Sequence, residues 1–579
     1  MLVEGTSVGA ATDIDGKFTL TLPAGKSKLR ISYIGMETQE VTARNGMVVR
    51  LVSDSKALDE VIVVAFGQAK KSAFTGSAAV VTSEKIQAHT TSNVANTLVG
   101  SVPGLQMRGS SGAPGAGAGS MNIRGISSLY AGTDPLIIVD GAPYTASLSN
   151  IPTSDIESVT VLKDAASAAL YGARGASGVI LVTTKKGKSH DAIINVDMKW
   201  GANSRAIQDY DVISTPQEYM EAYYALRYNQ RFYGQGYSAA AANEWANKQT
   251  LTDLAYNVFN VPNGEMLIGM NGKINPNATI GRSYLAETGE TFYMQPDDWT
   301  KLAYSNALRQ EYNVSANAAN ERGSFYASLG YLNEDGIIEY SGFERISARV
   351  RADYQLKKWL KLGANVNFVH SHTTSNPTMS TDWGSTNLMY YTSMIAPIYP
   401  VYVRVLDANG NPVIRTDEFG NQQYDYGIGN TNYYGYDRPF LSTGNPLGSN
   451  RYNKVYSNGN QFNGSFNVDI MLFPWLKFNN TSTAILGQTS YSNYQNPFYG
   501  PKACVNGEIT KYQSNTMRQN HVQTLTYFNK FGEHDIQVML GHEYYYTKTK
   551  YLEAARTGGF SPEIPELNAF ATKIGRAHV

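Results

Sequence analysis

From about residue 190 onward the chain alternates between apolar and polar positions. Ile194, Val196, Met198 and Trp200 are separated by Asn195, Asp197 and Lys199. Ile346, Ala348, Val350, Ala352, Tyr354 and Leu356 are interleaved with Arg345, Ser347, Arg349, Arg351, Asp353 and Gln355. After a turn at Lys357-Lys358, Leu360, Leu362, Ala364, Val366 and Phe368 resume against Lys361, Gly363, Asn365 and Asn367. Phe462, Gly464, Phe466, Val468, Ile470 and Leu472 oppose Asn463, Ser465, Asn467 and Asp469. A period of two places the two sets on opposite faces of a strand. Each run has about ten residues, the length a tilted strand needs to cross a bilayer. About nine such strands are expected. Arg349 and Arg351 are tolerable on a wet inner face and expensive against lipid. Trp359 and Trp475 fall at tight turns, where interfacial aromatics belong. A soluble sandwich would alternate too; strand length and aromatic placement favour a transmembrane barrel.

The spacing between strands is lopsided. Lys357-Lys358 and Phe473-Pro474-Trp475 are short turns, whereas 201–309 and 371–460 are long and rich in Tyr, Asn and Gly. Short turns at one end and long loops at the other are the habit of outer-membrane barrels. Inside the first long interval, Thr215-Pro216-Gln217-Glu218 is a capping box with Pro at the first helical position. It predicts a helix through Arg231, with Tyr219, Tyr223, Leu226 and Tyr228 as an aromatic flank.

The N-terminal third reads differently. Phe18 to Leu22, Leu29 to Tyr33 and Met47 to Leu51 are expected strands, the first entered through a hairpin turn at Thr12 to Phe18. Asp13-x-Asp15-Gly16 reads as that turn, because the remaining ligands of a calcium loop are missing. Leu58 to Gly67 holds an apolar run behind Asp59 and Glu60, expected as an unpaired strand able to join a partner's sheet edge, with the first strand of the following domain as the alternative. From Asp134 to Lys188 a compact strand–helix–strand unit is expected. Its strands are Ser158 to Lys163 and Val179 to Thr184. Its short helix is capped by Asp164 and ends where Gly172 turns left-handed. Gly175 and Gly178 then allow backbone to approach backbone. The Gly/Ala/Ser stretch 109–120 lacks a phosphate-loop pattern. A mobile loop on the ligand side is expected there, with a flexible linker as the alternative.

Composition narrows the class further. A chain of 579 residues implies several domains. Its 48 basic and 48 acidic residues cancel, which removes support for a nucleic-acid partner. Forty Tyr and 53 Gly suit strands, turns and aromatic girdles. The single cysteine, Cys504, can form neither an intrachain disulfide nor a Cys metal site. No apolar run reaches the length of a transmembrane helix, and a mean hydropathy of −0.31 is compatible with a barrel whose two faces cancel. His370 and His372 are read as solvated loop residues in preference to metal ligands. No catalytic motif is present, so no enzyme, cofactor or metal is expected.

The most specific signal is the run Asp155 to Ser158, Val161, Leu162, Lys163, Asp164, Ala169, Tyr171, Gly172, Arg174, Gly175 and Gly178, ending in Thr183 to Lys188. Together with Asn93 to Leu105, Gly112 to Gly115, Asn122 to Ser128 (containing Arg124 and Gly125) and Asp140-Gly141, it closely resembles the plug domain of SusC/RagA-family TonB-dependent outer-membrane transporters. The resemblance implies a mainly β chain divided as follows. Residues 1–53 are similar to part of a carboxypeptidase-regulatory-like β-sandwich. Residues 54–70 hold a TonB box in which Asp59, Glu60, Val61, Ile62, Val63 and Val64 are grasped; Phe66 stands where relatives more often carry Tyr. Residues 71–190 form the α+β plug, and 191–573 the first portion of a transmembrane antiparallel barrel of ~22 strands. Residues 574–579 resemble a translated sequencing adapter. Met1 to Gly5 lacks a signal peptide, so a fragment truncated at both ends is expected.

The implied function is TonB-dependent import of an oligosaccharide or peptide across the outer membrane, with a SusD-like surface lipoprotein capping the barrel. The N-terminal segment would lie in the periplasm and the strands in outer-membrane lipid. Ligand contacts are expected in the loops 109–120, 201–309 and 371–460. A non-transporting receptor or signalling barrel is the alternative, and a secreted β-rich hydrolase a third reading.

Overall fold

The computed structural model describes residues 2–3, 8–10, 12, 18–23, 25–31, 39–49, 61–64, 67–70, 78–109, 112–117, 119–126, 132–164, 168–206, 211–286, 288–375, 387–427, 437–441, 444–500, 502–561 and 563–576. The chain is mainly β. Its largest element is a ten-stranded antiparallel sheet in which every strand pairs with the next in sequence. The strands are Ile193–Asn203, Ala307–Ala319, Gly323–Asp335, Gly342–Lys357, Leu360–Ser375, Lys454–Phe473, Leu476–Gln495, Glu508–Phe531, His534–Gly559 and Phe570–Arg576. Turns at 320–322, 358–359, 474–475 and 532–533 close one end, and the two long connections leave from the other. The last strand runs through Arg576, across the 573/574 boundary expected from the sequence.

The faces of this sheet are inverted relative to a soluble protein. Ile194 is 72% exposed and Val350 48%, whereas Arg345 and Arg349 are each 3% exposed. Val196, Met198, Trp200, Leu329, Ile346, Val366 and Phe466 are exposed on the same outer side. Apolar side chains outside and guanidinium groups inside are stable only if the outside is hydrocarbon. At the tight-turn end Trp475 stacks on Phe473 with centroids 4.9 Å apart and tilts against Tyr527 at 5.6 Å, forming an interfacial girdle. The outer band is interrupted on three strands, where Asn480, Ser482, His521, Gln523 and His542 satisfy one another. His521 Nδ1 lies 2.9 Å from Ser482 Oγ, Gln523 donates to Asn480 at 2.9 Å, and His542 Nδ1 lies 2.8 Å from Gln523 Oε1.

Against the inner face sits a second sheet of five strands. Its order is Ala142–Pro143, Leu136–Val139, Val179–Thr184, Ile156–Leu162 and Ala78–Thr82. Val179–Thr184 runs parallel to Leu136–Val139, and the remaining pairings are antiparallel. Val159, Val161, Ile180 and Val182 bury one face against the short helices Ser83–Gln87 and Val94–Leu98, and Ile485 of the large sheet joins the same core. The expected short helix is instead a 3₁₀ segment, Ala169–Gly175, kinked at Gly172 (φ +60°, ψ −151°). The left-handed glycine thus lies inside the segment and does not end a helix. Residues 165–167, which an Asp164 cap would serve, lie outside the described residues.

The N-terminal segment departs further from expectation. Its sheet pairs Leu2–Val3, Lys28–Ile31 and Gln39–Thr42. Phe18 to Leu22 and Met47 to Val49 are irregular, and the Gln39–Thr42 strand was not foreseen. The Asp13-x-Asp15-Gly16 turn lies outside the described residues. Nor is the Leu58 to Gly67 run an unpaired strand: Val61–Val64 folds back on Gly67–Lys70 as a separate hairpin. Asp59, Glu60 and Phe66 lie outside the described residues.

The two long connections fold together. The capping box forms as expected, with Thr215 Oγ1 accepting from the Glu218 amide at 3.2 Å and starting helix Pro216–Phe232. Helix Ala239–Leu254 packs beside it. Strand Thr291–Met294 from the first connection pairs with Arg404–Leu406 from the second. Tyr256, Phe292, Ile398 and Tyr399 make one buried core from both.

Val350→Lys is expected to destabilise the sheet by about 2–4 kcal/mol, because the ammonium would enter the lipid-facing band. Val413→Lys, on an exposed strand of the folded connections, should change stability by no more than about 0.5 kcal/mol. Urea titration of the protein refolded into phospholipid vesicles reads both.

Candidate functional site

The site begins with a tight turn. Leu136–Val139 ends in Asp140 (φ +48°) and Gly141 (φ +88°) before Ala142–Pro143 returns. Two successive positive φ values are what a two-residue hairpin requires, and Asp tolerates the first better than most residues. This geometry aims the Asp140 carboxylate at the wall. Oδ1 accepts from the Thr184 amide at 3.0 Å, and Oδ2 accepts from Asn365 Nδ2 at 2.9 Å and bonds the Thr184 hydroxyl. Arg349 Nη2 approaches Oδ2 at 3.5 Å, and Arg351 Nη1 lies 3.7 Å from Oδ1.

Arg349 is the other half of the seat. It donates to Asn365 Oδ1 at 3.0 Å and to the Asp155 carbonyl at 3.4 Å, bonds Thr184 Oγ1, and lies 5.6 Å from the Tyr326 ring. Tyr326 in turn donates to Asp155 Oδ1 at 2.9 Å. Nearby, Arg345 donates to the Ser149 carbonyl at 2.6 Å, and Gln461 bonds Tyr144 at 3.1 Å and Asn150 at 3.0 Å. The small domain is therefore held to the wall largely by charge-assisted and neutral hydrogen bonds. Such contacts fix orientation, and water can replace them, so their net strength is modest.

The other plug-motif residues divide by task. Arg174 reaches the wall, 4.6 Å over the Tyr545 ring and 4.0 Å from Glu543. Arg124 (φ +60°) and Gly125 (φ +97°) form a turn, with the Arg124 amide bonded to the Gly104 carbonyl at 2.8 Å. Lys163 donates to the Pro103 carbonyl at 3.2 Å. Tyr171 packs on the small sheet's second core with Ile138 and Leu162. Gly175 and Gly178 mark close approaches: a Cβ there would lie 2.9 Å from the Ala168 carbonyl oxygen and 2.6 Å from Ile123 Cδ1. The backbone carbonyl of Asp164 accepts from the Ala168 amide at 3.1 Å.

In 109–120 the described residues are fastened on both sides. Gly115 donates to Ser92 Oγ at 3.3 Å, Asn93 Nδ2 donates to the Ala116 carbonyl at 3.0 Å, and Phe343 of the wall covers Gly115. His370 and His372 are strand residues and do not lie in a loop. They face outward along Leu360–Ser375, their Nδ1 atoms 2.8 Å from Asn460 and 2.6 Å from Asn458. Among the described residues no group of three or more His, Cys, Asp or Glu side chains is arranged to hold a metal.

The folded connections carry polar anchors that the sequence did not single out. Tyr224 is the buried tyrosine of this helix, its hydroxyl bonded to Asn243 at 2.5 Å, whereas the expected flank residues Tyr219, Tyr223 and Tyr228 are half-buried and Leu226 is exposed. Arg404 grips Asp297 with bonds of 2.9 and 2.6 Å. Burial pushes the Glu221 carboxyl up, but Lys273 at 2.7 Å, the Ile274 amide at 3.1 Å and Gln217 at 3.2 Å together hold it below the usual glutamate range. Burial likewise raises the Tyr391 and Tyr399 phenols above their ordinary range.

Comparison with known proteins agrees with this architecture. Residues 70–179 match the TonB-dependent receptor plug domain, and residues 1–63 the CarboxypepD_reg-like domain. The chain is 28% identical to the TonB-dependent receptor SusC of Bacteroides thetaiotaomicron, over 99% of this chain and 52% of that protein. It is 27% identical to the TonB-dependent receptor P26 of Formosa agariphila, over 96% of this chain and 48% of that protein. The chain spans about half the length of the curated relatives it matches. Among solved structures it superposes on the RagAB peptide importer in its open-open state with a TM-score of 0.65 and 21% identity, covering 90% of this chain and 52% of that one.

Asp140→Asn leaves Arg349 and Arg351 facing a neutral group and should weaken the seat by about 3 kcal/mol. The expected readout is protease cleavage within 78–184 at a lower urea concentration than in the parent. In a double-mutant cycle, Asp140→Asn with Arg349→Gln should show coupling of about 1 kcal/mol or more. Because the Glu221 carboxyl is held low, its contribution is complete above the ordinary glutamate range and is lost as pH falls from that range through the lowered folded value. Glu221→Gln should therefore flatten the acid limb of the folded connections' stability, followed by Trp fluorescence.

Proposed function

We propose that this chain, a SusC-type TonB-dependent receptor by its plug domain, its regulatory-like domain and its similarity to SusC along nearly its whole length, is the plug-bearing part of an importer that moves an oligosaccharide or a peptide across the outer membrane. One observation carries the reading: a small glycine-rich domain is seated by polar bonds on the wet face of a sheet whose other face suits lipid. A stopper fixed by hydrogen bonds can be released without exposing a large apolar surface to water.

In this reading the periplasm lies at the tight-turn end. Asp59 to Val64 is the grip for TonB, which pairs main chain to main chain and pulls. The hairpin Val61–Val64 with Gly67–Lys70 must then exchange its own partner strand for TonB's, or offer its free edge. The folded connections form the outer cap on which a SusD-like lipoprotein closes. Tyr233 and Tyr237 are exposed there, and the Arg231 guanidinium lies 3.7 Å from the Tyr237 ring. Such aromatic faces suit stacking on sugar rings or peptide side chains.

Deleting 59–66 from the full-length protein is expected to abolish uptake while surface binding of the ligand persists. Unchanged uptake in the deletion would sink the importer reading, and a parent that binds but never accumulates ligand would favour the non-transporting receptor.

A further inference from the structure

The outer face of the large sheet carries a groove of about 460 Å³ near the end where the long connections begin. Its apolar wall is Phe368, Phe462, Leu486 and Met517, and Lys548 and Lys550 stand at its rim. The register places these side chains on one face, because Phe368 pairs with Phe462, Phe462 with Leu486, Leu486 with Met517 and Met517 with Lys548. That face is the lipid-facing one, shared with Leu540, Tyr544 and Tyr546 on the Lys548 strand. Along this strand the outward positions Leu540, His542, Tyr544, Tyr546, Lys548 and Lys550 pass from apolar through aromatic to cationic, with exposed Leu552 beyond them. Tyrosine marks the bilayer boundary, and lysine beyond it reaches headgroup level.

Neither lysine has a hydrogen bond or ion pair among the described residues, and the groove's lining contains no carboxylate. The polar atoms beside them belong to neutral Asn460, Gln488 and Asn515. Two unpaired ammonium groups above an apolar trough form a complementary surface for an anionic headgroup with an acyl chain hanging toward the membrane centre. We propose that this groove binds a phosphorylated lipid of the outer leaflet, with Lys548 and Lys550 on the phosphate and Phe368, Phe462, Leu486 and Met517 along the chain. The proposal rests on the membrane orientation given above, though not on import.

The test is native mass spectrometry of the full-length protein in neutral detergent, titrated with monophosphoryl lipid A, with the same glycolipid lacking phosphate, and with inorganic phosphate. The parent should retain the phosphorylated lipid and bind the dephosphorylated form at least about tenfold more weakly. Lys548→Gln with Lys550→Gln should lose about thirty-fold in affinity, while Lys548→Arg with Lys550→Arg should stay near the parent. Leu486→Asn, a second variant that keeps both charges, should weaken binding of the lipid. Equal retention of the dephosphorylated lipid, unchanged affinity in the double Gln variant, or inorganic phosphate binding as tightly as the lipid would each overturn it. Ligand uptake is scored separately, so a parent protein that takes up its ligand normally but fails to retain the phosphorylated lipid refutes this inference alone. Normal uptake in the 59–66 deletion, with lipid still bound, refutes import alone.

Discussion

A guanidinium facing inward from a sheet whose outside is apolar must find an anion, carbonyl or water. Arg345 and Arg349 find theirs on the plug. That requirement links the two halves of the structure. The wall cannot turn these side chains outward, because hydrocarbon would leave them without partners. The plug cannot withdraw its carbonyls and the Asp140 carboxylate without water taking their place. The polar wall and the plug are consequently one design: the short 3₁₀ turns Leu148–Asn150 and Thr153–Asp155 present the carbonyls of Ser149 and Asp155 to the arginines directly.

Position within the plug sheet separates the N-terminal approach from the seat. Residues 61–70 lead in sequence to Ala78–Thr82, an edge strand paired only with Ile156–Leu162. Asp140 lies at the opposite edge, beyond Ile156–Leu162 and Val179–Thr184. A pull arriving through the N-terminal segment therefore loads the edge ladder first. The Asp140–Arg349 contact is reached only after force has crossed the apolar core of Val159, Val161, Ile180 and Val182.

What the sequence disclosed follows from how local each signal is. The alternation at 345–356 needs only its own strand, so face and function of Ile346 and Arg345 could be read together. The Thr215 capping box needs four residues and formed as expected. The same periodicity continues past Phe368 through His370 and His372, so their place on the strand was legible had the run been followed. Asp140 could be read as part of a turn, but its partners Thr184, Arg349 and Asn365 lie far along the chain and no spacing rule joins them. The hairpin of Val61–Val64 with Gly67–Lys70 is not announced in the sequence, because the run 61–66 contains no Gly, Asn or Asp to signal a turn. Phe18 to Leu22 shows the reverse error: alternation states which way side chains point, while a strand also needs a neighbour to bond.

The folded connections show why loop length alone misleads. Intervals as long as 201–309 and 371–460 suggest separate excursions, yet each buries part of its apolar surface against the other. Phe292 and Met294 from one pack with Ile398, Tyr399 and Val403 from the other, and the Thr291–Met294 and Arg404–Leu406 strands pair directly. Joined in this way, the two connections share one apolar core. Tyr233 and Tyr237 are exposed on this body, apart from the buried Glu221 and the largely covered Asp297–Arg404 pair that anchor it. The plug seat and the cap are thus built on opposite rules, the first from replaceable hydrogen bonds and the second from an apolar core shared across a long stretch of chain.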